Sequence, residues 1–216
     1  INALNVFPVP DADTGSNMTH TMEAALAEAD RLPADADVAA VAAALASGSV
    51  RGVRGNSGLV LSQVLRAVAD SAARGSVDGD SIARSLTLAV TLVDRAIAEP
   101  VEGTVITVLR AAALAAESAS GDLHAVATAA LEAARTALAN TPSQLDVLRE
   151  AGVVDAGGTG FVVLLETLLA EIEGTEELPQ VEARPNGPAA DLEVTFFFVG
   201  DLDCLQARIA PLGESL

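Results

Sequence analysis

Apolar residues recur every three to four positions along most of the first 172 residues, which is the spacing of one face of an α-helix. The first such stretch, residues 14–31, places Met18, Met22 and Ala25 on one face. Similar patterns predict further helices over residues 38–46, 59–73, 81–98, 105–118, 123–139, 143–150 and 161–172. Polar or glycine-rich breaks separate these segments, so the pattern predicts an all-α domain.

The pattern changes after residue 173. Residues 174–191 contain three prolines and several acids, which is typical of a linker. Residues 192–200, LEVTFFFVG, are predicted to form a strand, and a short amphipathic helix follows it. Because residues 192–216 are too few to bury a core of their own, we expect them to be the truncated βα start of a second domain. The helical domain is then predicted to span residues 1–173.

Composition narrows the classes of partner. Aromatic residues make up 2% of the chain, so the core must consist of Ala, Leu and Val, which favours closely packed helices.

The net charge of −18 repels nucleic acid and anionic membrane surfaces. No run of 18 apolar residues occurs, so membrane insertion is not expected. The single cysteine allows no internal disulfide, which fits a cytoplasmic protein.

All twelve basic residues are arginines. A Walker A loop requires a lysine at the phosphates, and a protein kinase requires a lysine on a strand. Because the chain has no lysine, it can contain neither of these two phosphate-binding sites. Any phosphate chemistry must therefore depend on metal ions, backbone N–H groups, hydroxyl groups and arginine.

Four segments interrupt the helical pattern with glycine, acids and hydroxyl side chains. They are residues 10–18 (PDADTGSNM), 54–58 (RGNSG), 102–104 (EGT) and 154–160 (VDAGGTG), and their first glycines are 40, 48 and 54 residues apart. One helix pair with its turns takes roughly 35–50 residues, and in an up-and-down bundle every second loop lies at the same end. We therefore expect all four segments to meet at one end, provided that residues 140–157 form a single excursion.

The first of these segments carries the strongest signal. Asp11 and Asp13 are two acids in a proline-stiffened loop, and because close carboxylates repel each other, their spacing favours a cation between them. Magnesium favours a few carboxylates together with water and phosphate oxygens. Gly15, Ser16 and Asn17 follow at a helix start, where free N–H groups and the helix dipole favour phosphate. The alternative is that Asp13 only caps the helix and Asp11 is solvated.

The other three segments are weaker signals. Asn56, Ser57 and Gly58 can present N–H groups and a hydroxyl group to phosphate, with Arg51 or Arg54 nearby, but on this segment alone an ordinary glycine-rich turn is the favoured explanation.

The same two interpretations apply to the last two segments. Thr104, after Gly103, either faces a phosphate or only caps a helix. Asp155 and Gly157 belong either to a flexible lid over a nucleotide or to a glycine-rich helix entry.

The segments NVFPVPDADTGSNM, RGNSG, EGTVITVLR and VVDAGGTGF, in this order and spacing, resemble the fatty acid kinase A subunit. Its N-terminal domain belongs to the superfamily of the dihydroxyacetone kinase L subunit. The resemblance covers residues 1–172, and residues 192–216 look like the opening of that family's middle domain. It implies an up-and-down barrel of eight antiparallel helices that binds ATP and two magnesium ions at one end.

The resemblance also implies roles for individual residues. Asp11 and Asp13 match two of the family's three metal-binding carboxylates. The third corresponds most nearly to Asn5, offset by one residue, which offers only an amide oxygen to a metal. Positions that bind the nucleotide and its phosphates match Thr14, Gly15, Ser16, Asn17, Met18, Asn56, Ser57, Gly58, Gly103 and Thr104. Asp155 and Gly157 match a lid near the adenine.

Two departures from the family's pattern are informative. Ala12 replaces a glycine of the usual PDGDTG, which should be tolerated unless that position needs a positive φ. Thr14 stands where the sugar-kinase subunits have a histidine, which favours the fatty acid branch.

We therefore expect a kinase domain that transfers the γ-phosphoryl group of ATP to a fatty acid carboxylate, presented by a lipid-carrying subunit that resembles fatty acid kinase B. Asp11 and Asp13 would hold the metals at the catalytic centre, and a homodimer is left open. Two alternatives stay open: a dihydroxyacetone-type kinase subunit, and a non-enzymatic nucleotide-binding module that regulates a partner.

Overall fold

The computed structural model describes residues 1–75 and 77–175, together with Leu205. Within the described part, the chain forms a short 3-10 helix, Asn2–Leu4, and then α-helices only. These are α1 (Thr14–Ala29), α2 (Val38–Arg51), α3 (Gly55–Ala72), α4 (Gly79–Ala96), α5 (Val105–Ser118), α6 (Leu123–Gln144), α7 (Asp146–Ala151) and α8 (Ala156–Glu173). The all-α prediction is confirmed. The predicted strand and second domain, and the linker beyond residue 175, lie outside the described residues.

The helices form a closed ring. Each of α1 to α6 packs on the next, α8 packs on α6, and α8 also contacts α1. The six-residue helix α7 packs on α6 and is an excursion between α6 and α8, as the loop spacing required. Among the described residues the barrel thus has eight α-helices, as the resemblance implies, of which seven are long and α7 has six residues.

The core is made of small and aliphatic side chains, as the composition predicts. One cluster of buried residues joins α3, α4, α5, α6 and α8 and includes Val93, Leu109 and Ala130. A smaller cluster joins α1 to α3 through Ala25, Leu61 and Leu65. Burial of this apolar area drives the helices together, at roughly 25 cal/mol per Å².

Aspartate caps define one end of the barrel. Asp37, Asp78 and Asp122 stand before α2, α4 and α6, and each carboxylate accepts a hydrogen bond from a backbone N–H in the first turn of its helix. Because every second loop of an up-and-down bundle lies at the same end, these three loops should lie at the end away from the four glycine-bearing segments. The helix order places them there, so the first turns of α1, α3, α5 and α8 lie at the opposite end.

Several predicted boundaries are wrong, including the start of the last helix, which lies at Ala156 and not at residue 161. Two of these errors have a clear physical reason. Residues 47–58 were predicted to be a long loop, but α2 continues to Arg51 and α3 begins at Gly55. The glycines of this stretch are packing positions, because a Cβ at Gly48 would lie 2.4 Å from the carbonyl oxygen of Ala24. Gly52 approaches the same residue.

The second error concerns the end of α6, which was predicted at residue 139 but lies at Gln144, with Pro142 inside the helix. Thr141 is fully buried and explains why the helix continues. Its hydroxyl group donates to the carbonyl of Leu138 and accepts the N–H of Asp155, which ties the last turns of α6 to the start of α8.

Candidate functional site

The loop before α1 is held by Asn5, which is 7% exposed. Its Oδ1 accepts the backbone N–H groups of Asp13 (3.0 Å) and Thr14 (3.2 Å), and its Nδ2 donates to the carbonyl of Val9 (2.9 Å). Both halves of the amide are therefore used in shaping the loop. Since its oxygen already accepts two hydrogen bonds, we leave Asn5 out of the proposed metal ligands.

Asn5 performs the capping that Asp13 was expected to perform in the alternative interpretation. Asp13 occupies the N-cap position of α1, but its side chain accepts no hydrogen bond from the backbone of the first turn. Instead its Oδ2 accepts the side-chain Nδ2 of Asn17 at 2.7 Å. The carboxylate of Asp13 is therefore bound by a side chain of the first turn of α1 and not by its backbone.

Asp11 and Asp13 are neighbours in space as well as in sequence. Burial raises the pKa of Asp11 above its usual value, and the negative charge of Asp13 and a side-chain hydrogen bond to it raise this pKa further. Two neighbouring carboxylates repel each other when both are ionised, and a divalent cation between them would offset this repulsion. Within the described residues, no group of three or more His, Cys, Asp and Glu side chains is arranged to hold a metal. Two carboxylates alone do not complete a metal coordination shell, so a magnesium ion here would depend on water and phosphate oxygens for its remaining positions.

The residue between the two acids has an unusual backbone. Ala12 has a φ of 60°, in the left-handed region that favours glycine. A side chain in this conformation costs roughly 1–2 kcal/mol. Position 12 thus has the positive φ at which alanine is less favourable than the usual glycine. Asn5 holds the backbone around it through Val9 on one side and Asp13 and Thr14 on the other.

The first turn of α1 is partly occupied by the chain itself. The side chain of Asn2 accepts the N–H of Ser16 (3.0 Å) and donates to the hydroxyl group of Ser16 (2.8 Å). Asn2 also covers Gly15, where a Cβ would lie 2.7 Å from its Oδ1. The N–H of Ser16, predicted to face a phosphate, thus already has a partner in this conformation.

The first turn of α3 lies against α1. The hydroxyl group of Ser57 donates to the carbonyl of Thr14 at 3.4 Å, and a Cβ at Gly58 would lie 2.5 Å from Oγ1 of Thr21. No side chain caps this helix, because Arg54 is at its N-cap position. Asn56 lies within the same turn.

The first turn of α5 is packed inward. Gly103, with a φ of 83°, and Thr104 are both buried. The hydroxyl group of Thr104 donates to the carbonyl of Val101 at 2.7 Å and accepts the N–H of Ile106. These contacts match the capping interpretation of Thr104. The turn is held from outside by Glu102, whose carboxylate accepts hydrogen bonds from Thr107 and Arg110.

The first turn of α8 completes the set. Asp155 is 6% exposed and caps α8 through a 2.6 Å hydrogen bond from the N–H of Gly158. Burial raises the pKa of Asp155 to about 6, although backbone hydrogen bonds from Gly158, Val105 and Gly157 act in the opposite direction. These contacts link the starts of α8 and α5. Asp155 and Gly157 thus belong to a glycine-rich helix entry, which is the second of the two interpretations weighed above.

Direct contacts join the four helix starts. The start of α1 contacts that of α3 through Thr14 and Ser57. Met18 on α1 packs on Gly160 of α8, where a Cβ would lie 2.4 Å from its sulfur. Gly157 of α8 lies against Val105 of α5. The four segments therefore meet at one end of the barrel, as the loop spacing predicts.

An open groove of about 1010 Å³ runs along the outer face of α1 at this end. Gly15, Ser16 and Asn17 line it on one side and Arg54 on another. Asn17 also binds Asp13, so the groove and the acidic pair share a residue. The remaining lining residues are Ile1, Asn2, Ala3, Thr19, His20 and Glu23.

Sequence reasoning missed several residues that shape this end. Asn2, Thr21 and Thr141 each connect segments that are far apart in the chain, and isolated polar residues give no periodic signal. The buried state of Thr21 and Thr141 has no counterpart in the local sequence. Only the position of Asn2 before the proline-stiffened loop offered a weak hint.

None of the helices in the described part combines the length and apolarity that a membrane span requires.

Comparison with known proteins identifies the family of the domain. The family model described as the DAK2 domain matches residues 8–170. Protein YloV of Bacillus subtilis is 39% identical over 191 residues, which cover 86% of this chain and 34% of YloV.

Staphylococcal proteins give similar matches. An uncharacterized protein of Staphylococcus saprophyticus is 37% identical, and one of Staphylococcus aureus strain USA300 is 35% identical, each over 81% of this chain and 32% of the relative. The chain thus spans about a third of the length of these curated relatives. With the family model matching most of its residues, the chain belongs to the DAK2 domain family, within the superfamily of the dihydroxyacetone kinase L subunit.

Proposed function

We propose that this chain is the nucleotide- and magnesium-binding domain of a kinase that transfers the γ-phosphoryl group of ATP to a fatty acid carboxylate. The observation that carries the proposal is the electrostatic interaction between the neighbouring carboxylates of Asp11 and Asp13, the second of which caps no helix, beside four converging helix starts. Membership of the DAK2 family supports the kinase class. The fatty acid as acceptor is supported by the resemblance of the motifs and by Thr14 in place of a histidine.

The arrangement suits phosphoryl transfer to an acid. A carboxylate is already deprotonated at neutral pH, so transfer needs no general base. The bond between the γ-phosphorus and the β,γ-bridging oxygen breaks, a bond from that phosphorus to a carboxylate oxygen forms, and ADP and an acyl phosphate result. Catalysis then consists of positioning the reactants and neutralising charge.

Each residue has a defined part in this scheme. Asp11 and Asp13 would hold magnesium ions, which neutralise charge on the phosphate oxygens, and Asn17 would orient Asp13 through its hydrogen bond. The starts of α1 and α3 would provide backbone N–H groups at Gly15 and Ser57 to the phosphates. A lipid-binding subunit resembling fatty acid kinase B would present the acceptor.

The test is calorimetric titration of ADP into the protein with and without magnesium. We expect magnesium to strengthen binding at least tenfold, and we expect Asp11→Asn and Asp13→Asn to remove most of this gain, because each deletes a charged ligand. Asp35→Asn is the matched control, since Asp35 is exposed in the loop before α2 at the other end. Equally tight binding of ADP with and without magnesium would contradict the proposal.

A dihydroxyacetone-type kinase is the second candidate, and the family match favours it. In such enzymes the acceptor is bound covalently to a histidine of a partner subunit. Assaying the intact protein with a fatty acid plus its carrier, and separately with dihydroxyacetone, distinguishes the two acceptors. A purely regulatory nucleotide-binding role is excluded if the intact protein transfers phosphate and Asp11→Asn abolishes the transfer.

A further inference from the structure

Arg54 is a charged residue of the groove for which the described part of the chain offers no counterion. It stands at the N-cap position of α3, is exposed, and lines the groove together with Gly15, Ser16 and Asn17. No ion pair or side-chain hydrogen bond joins it to any described residue. An arginine held at the mouth of a groove without a carboxylate partner is available to a ligand.

The neighbouring arginine is different. Arg51, one turn earlier, contacts Glu28 at 3.1 Å and donates to the hydroxyl group of Ser47 at 2.7 Å. Its charge is therefore already balanced on the outer face of α2. The two arginines form a natural pair for comparison, because they are close in sequence and both exposed but differ in their partners.

Two other arginines at this end of the barrel are engaged with acids, and Arg95, in the last turn of α4, does not line the groove. Arg110 binds Asp94 and Glu102, and Arg149 binds Asp146 at 2.8 Å. Since the chain has no lysine, few cationic side chains remain for the phosphates of a nucleotide. Arg54 is linked to the acidic pair through the groove, because Asn17 lines the same groove and donates to Asp13.

The acids around Arg54 do not prevent this role. Glu23 also lines the groove, but it lies eight residues beyond Gly15, which is about 12 Å along α1. His20 lies between these two positions. The part of the groove next to the first turn of α1 is thus lined by Gly15, Ser16, Asn17 and Arg54, together with Ile1, Asn2 and Ala3.

We propose that Arg54 binds the terminal phosphates of the nucleotide in the groove along the outer face of α1, beside the first turn of that helix; this inference rests on the proposed function. The guanidinium group is planar and can donate two parallel hydrogen bonds to phosphate oxygens, which a single amide cannot. It supplies the positive charge that a lysine supplies in a Walker A loop. Arg54 therefore distinguishes nucleotides with two or three phosphates from adenosine.

The experiment compares Arg54→Gln with Arg51→Gln in the same protein. Affinities for Mg·ATP, Mg·ADP and adenosine are measured by calorimetric titration, with circular dichroism melting as the check on folding. We expect Arg54→Gln to weaken Mg·ATP and Mg·ADP binding roughly tenfold or more while adenosine binding is unchanged, since a charge-assisted bidentate contact is lost. Arg51→Gln should leave all three affinities within twofold. Arg54→Lys should recover part of the lost affinity for Mg·ATP and Mg·ADP, because lysine restores the positive charge but not the two parallel hydrogen-bond donors of the guanidinium group.

The failures of the two proposals are distinguishable. If the unmodified protein binds Mg·ATP but Arg54→Gln binds it equally well, the assignment of Arg54 is wrong while the proposed function stands. Equal weakening of adenosine and Mg·ATP would also overturn the assignment, because it would indicate a general effect on the groove. If the unmodified protein binds no Mg·ATP, both proposals fail together.

Discussion

Asp155 is a buried acid on which two helix starts depend. Its carboxylate receives backbone hydrogen bonds from the first turns of α8 and α5, yet burial raises its pKa to about 6. The protonated form is thus favoured in the folded state at a pH where the unfolded chain would carry a charge there. This residue links the local geometry of the site to the stability of the whole domain.

We predict that Asp155 makes the domain less stable as pH rises from 4 to 7. Because its folded pKa lies above the unfolded value of 3.8, the folded state binds more protons in this window, and the contribution is lost as pH passes through about 6. Asp155→Asn removes this dependence. The free energy of unfolding of the unmodified protein should fall relative to the variant by up to about 3 kcal/mol across the window.

The measurement is urea unfolding of both proteins at several pH values between 4 and 7. Taking the difference between the two proteins cancels the titration of the other acids. A difference that is constant with pH would show that Asp155 titrates normally and that its burial is compensated.

Single residues also mark where prediction from sequence ends. The acidic pair could be found, because two acids in a stiff loop before a helix form a local pattern. That Asn5 rather than Asp13 satisfies the first N–H groups of α1 could not be found, since the two residues are equally good caps and only the loop's fold decides between them. Whether Arg54 has a counterion likewise depends on which side chains the fold brings next to it, and the local sequence does not show this.

At the scale of elements, α1 and α2 approach each other unusually closely. Gly48 and Gly52 are four residues apart, so they lie on the same face of α2, and both meet Ala24 of α1. In the sequence these glycines read as a loop, because glycine is the weakest helix former apart from proline. Tertiary packing outweighs this propensity.

Gly48→Ala tests this close approach. The added Cβ would lie 2.4 Å from the backbone oxygen of Ala24, so the helices must separate, and we expect a loss of about 1–3 kcal/mol in the free energy of unfolding. Val50→Ile is the control, because it also adds one carbon to α2 but at a side chain that is 51% exposed, and it should change stability by less than about 0.5 kcal/mol. Equal stability of the two variants in urea would show that α1 and α2 can move apart freely.

At the scale of the molecule, the charge is strongly unbalanced. Thirty acids face twelve arginines, so the compact state carries considerable self-repulsion. Several arginines are paired with acids on neighbouring helices, as in Arg135 with Glu166 at 2.7 Å, but these exposed pairs contribute little each. Repulsion should therefore outweigh attraction at neutral pH.

We predict that the melting temperature at pH 7 rises by about 2–4 °C when KCl is raised from about 0.01 M to 0.15 M, because the screening length shortens from about 30 Å to 8 Å. The rise should vanish near pH 4.2, the isoelectric point of the sequence, where no net repulsion remains. Melting followed by circular dichroism gives both values. A fall in melting temperature at pH 7 would mean that ion pairs dominate over self-repulsion.

The excursion through α7 has a consequence for the electric field of the fold. With seven long helices in the ring, α8 and α1 meet side by side in the same direction, and one pole gathers four amino-terminal ends against three carboxy-terminal ends. Each amino-terminal end carries about half a positive elementary charge and each carboxy-terminal end about half a negative one, so the odd number leaves this pole with a positive backbone surplus. An otherwise anionic surface thus has one place where the main chain itself attracts negative ions, and the arithmetic of the ring puts it beside Asp11 and Asp13.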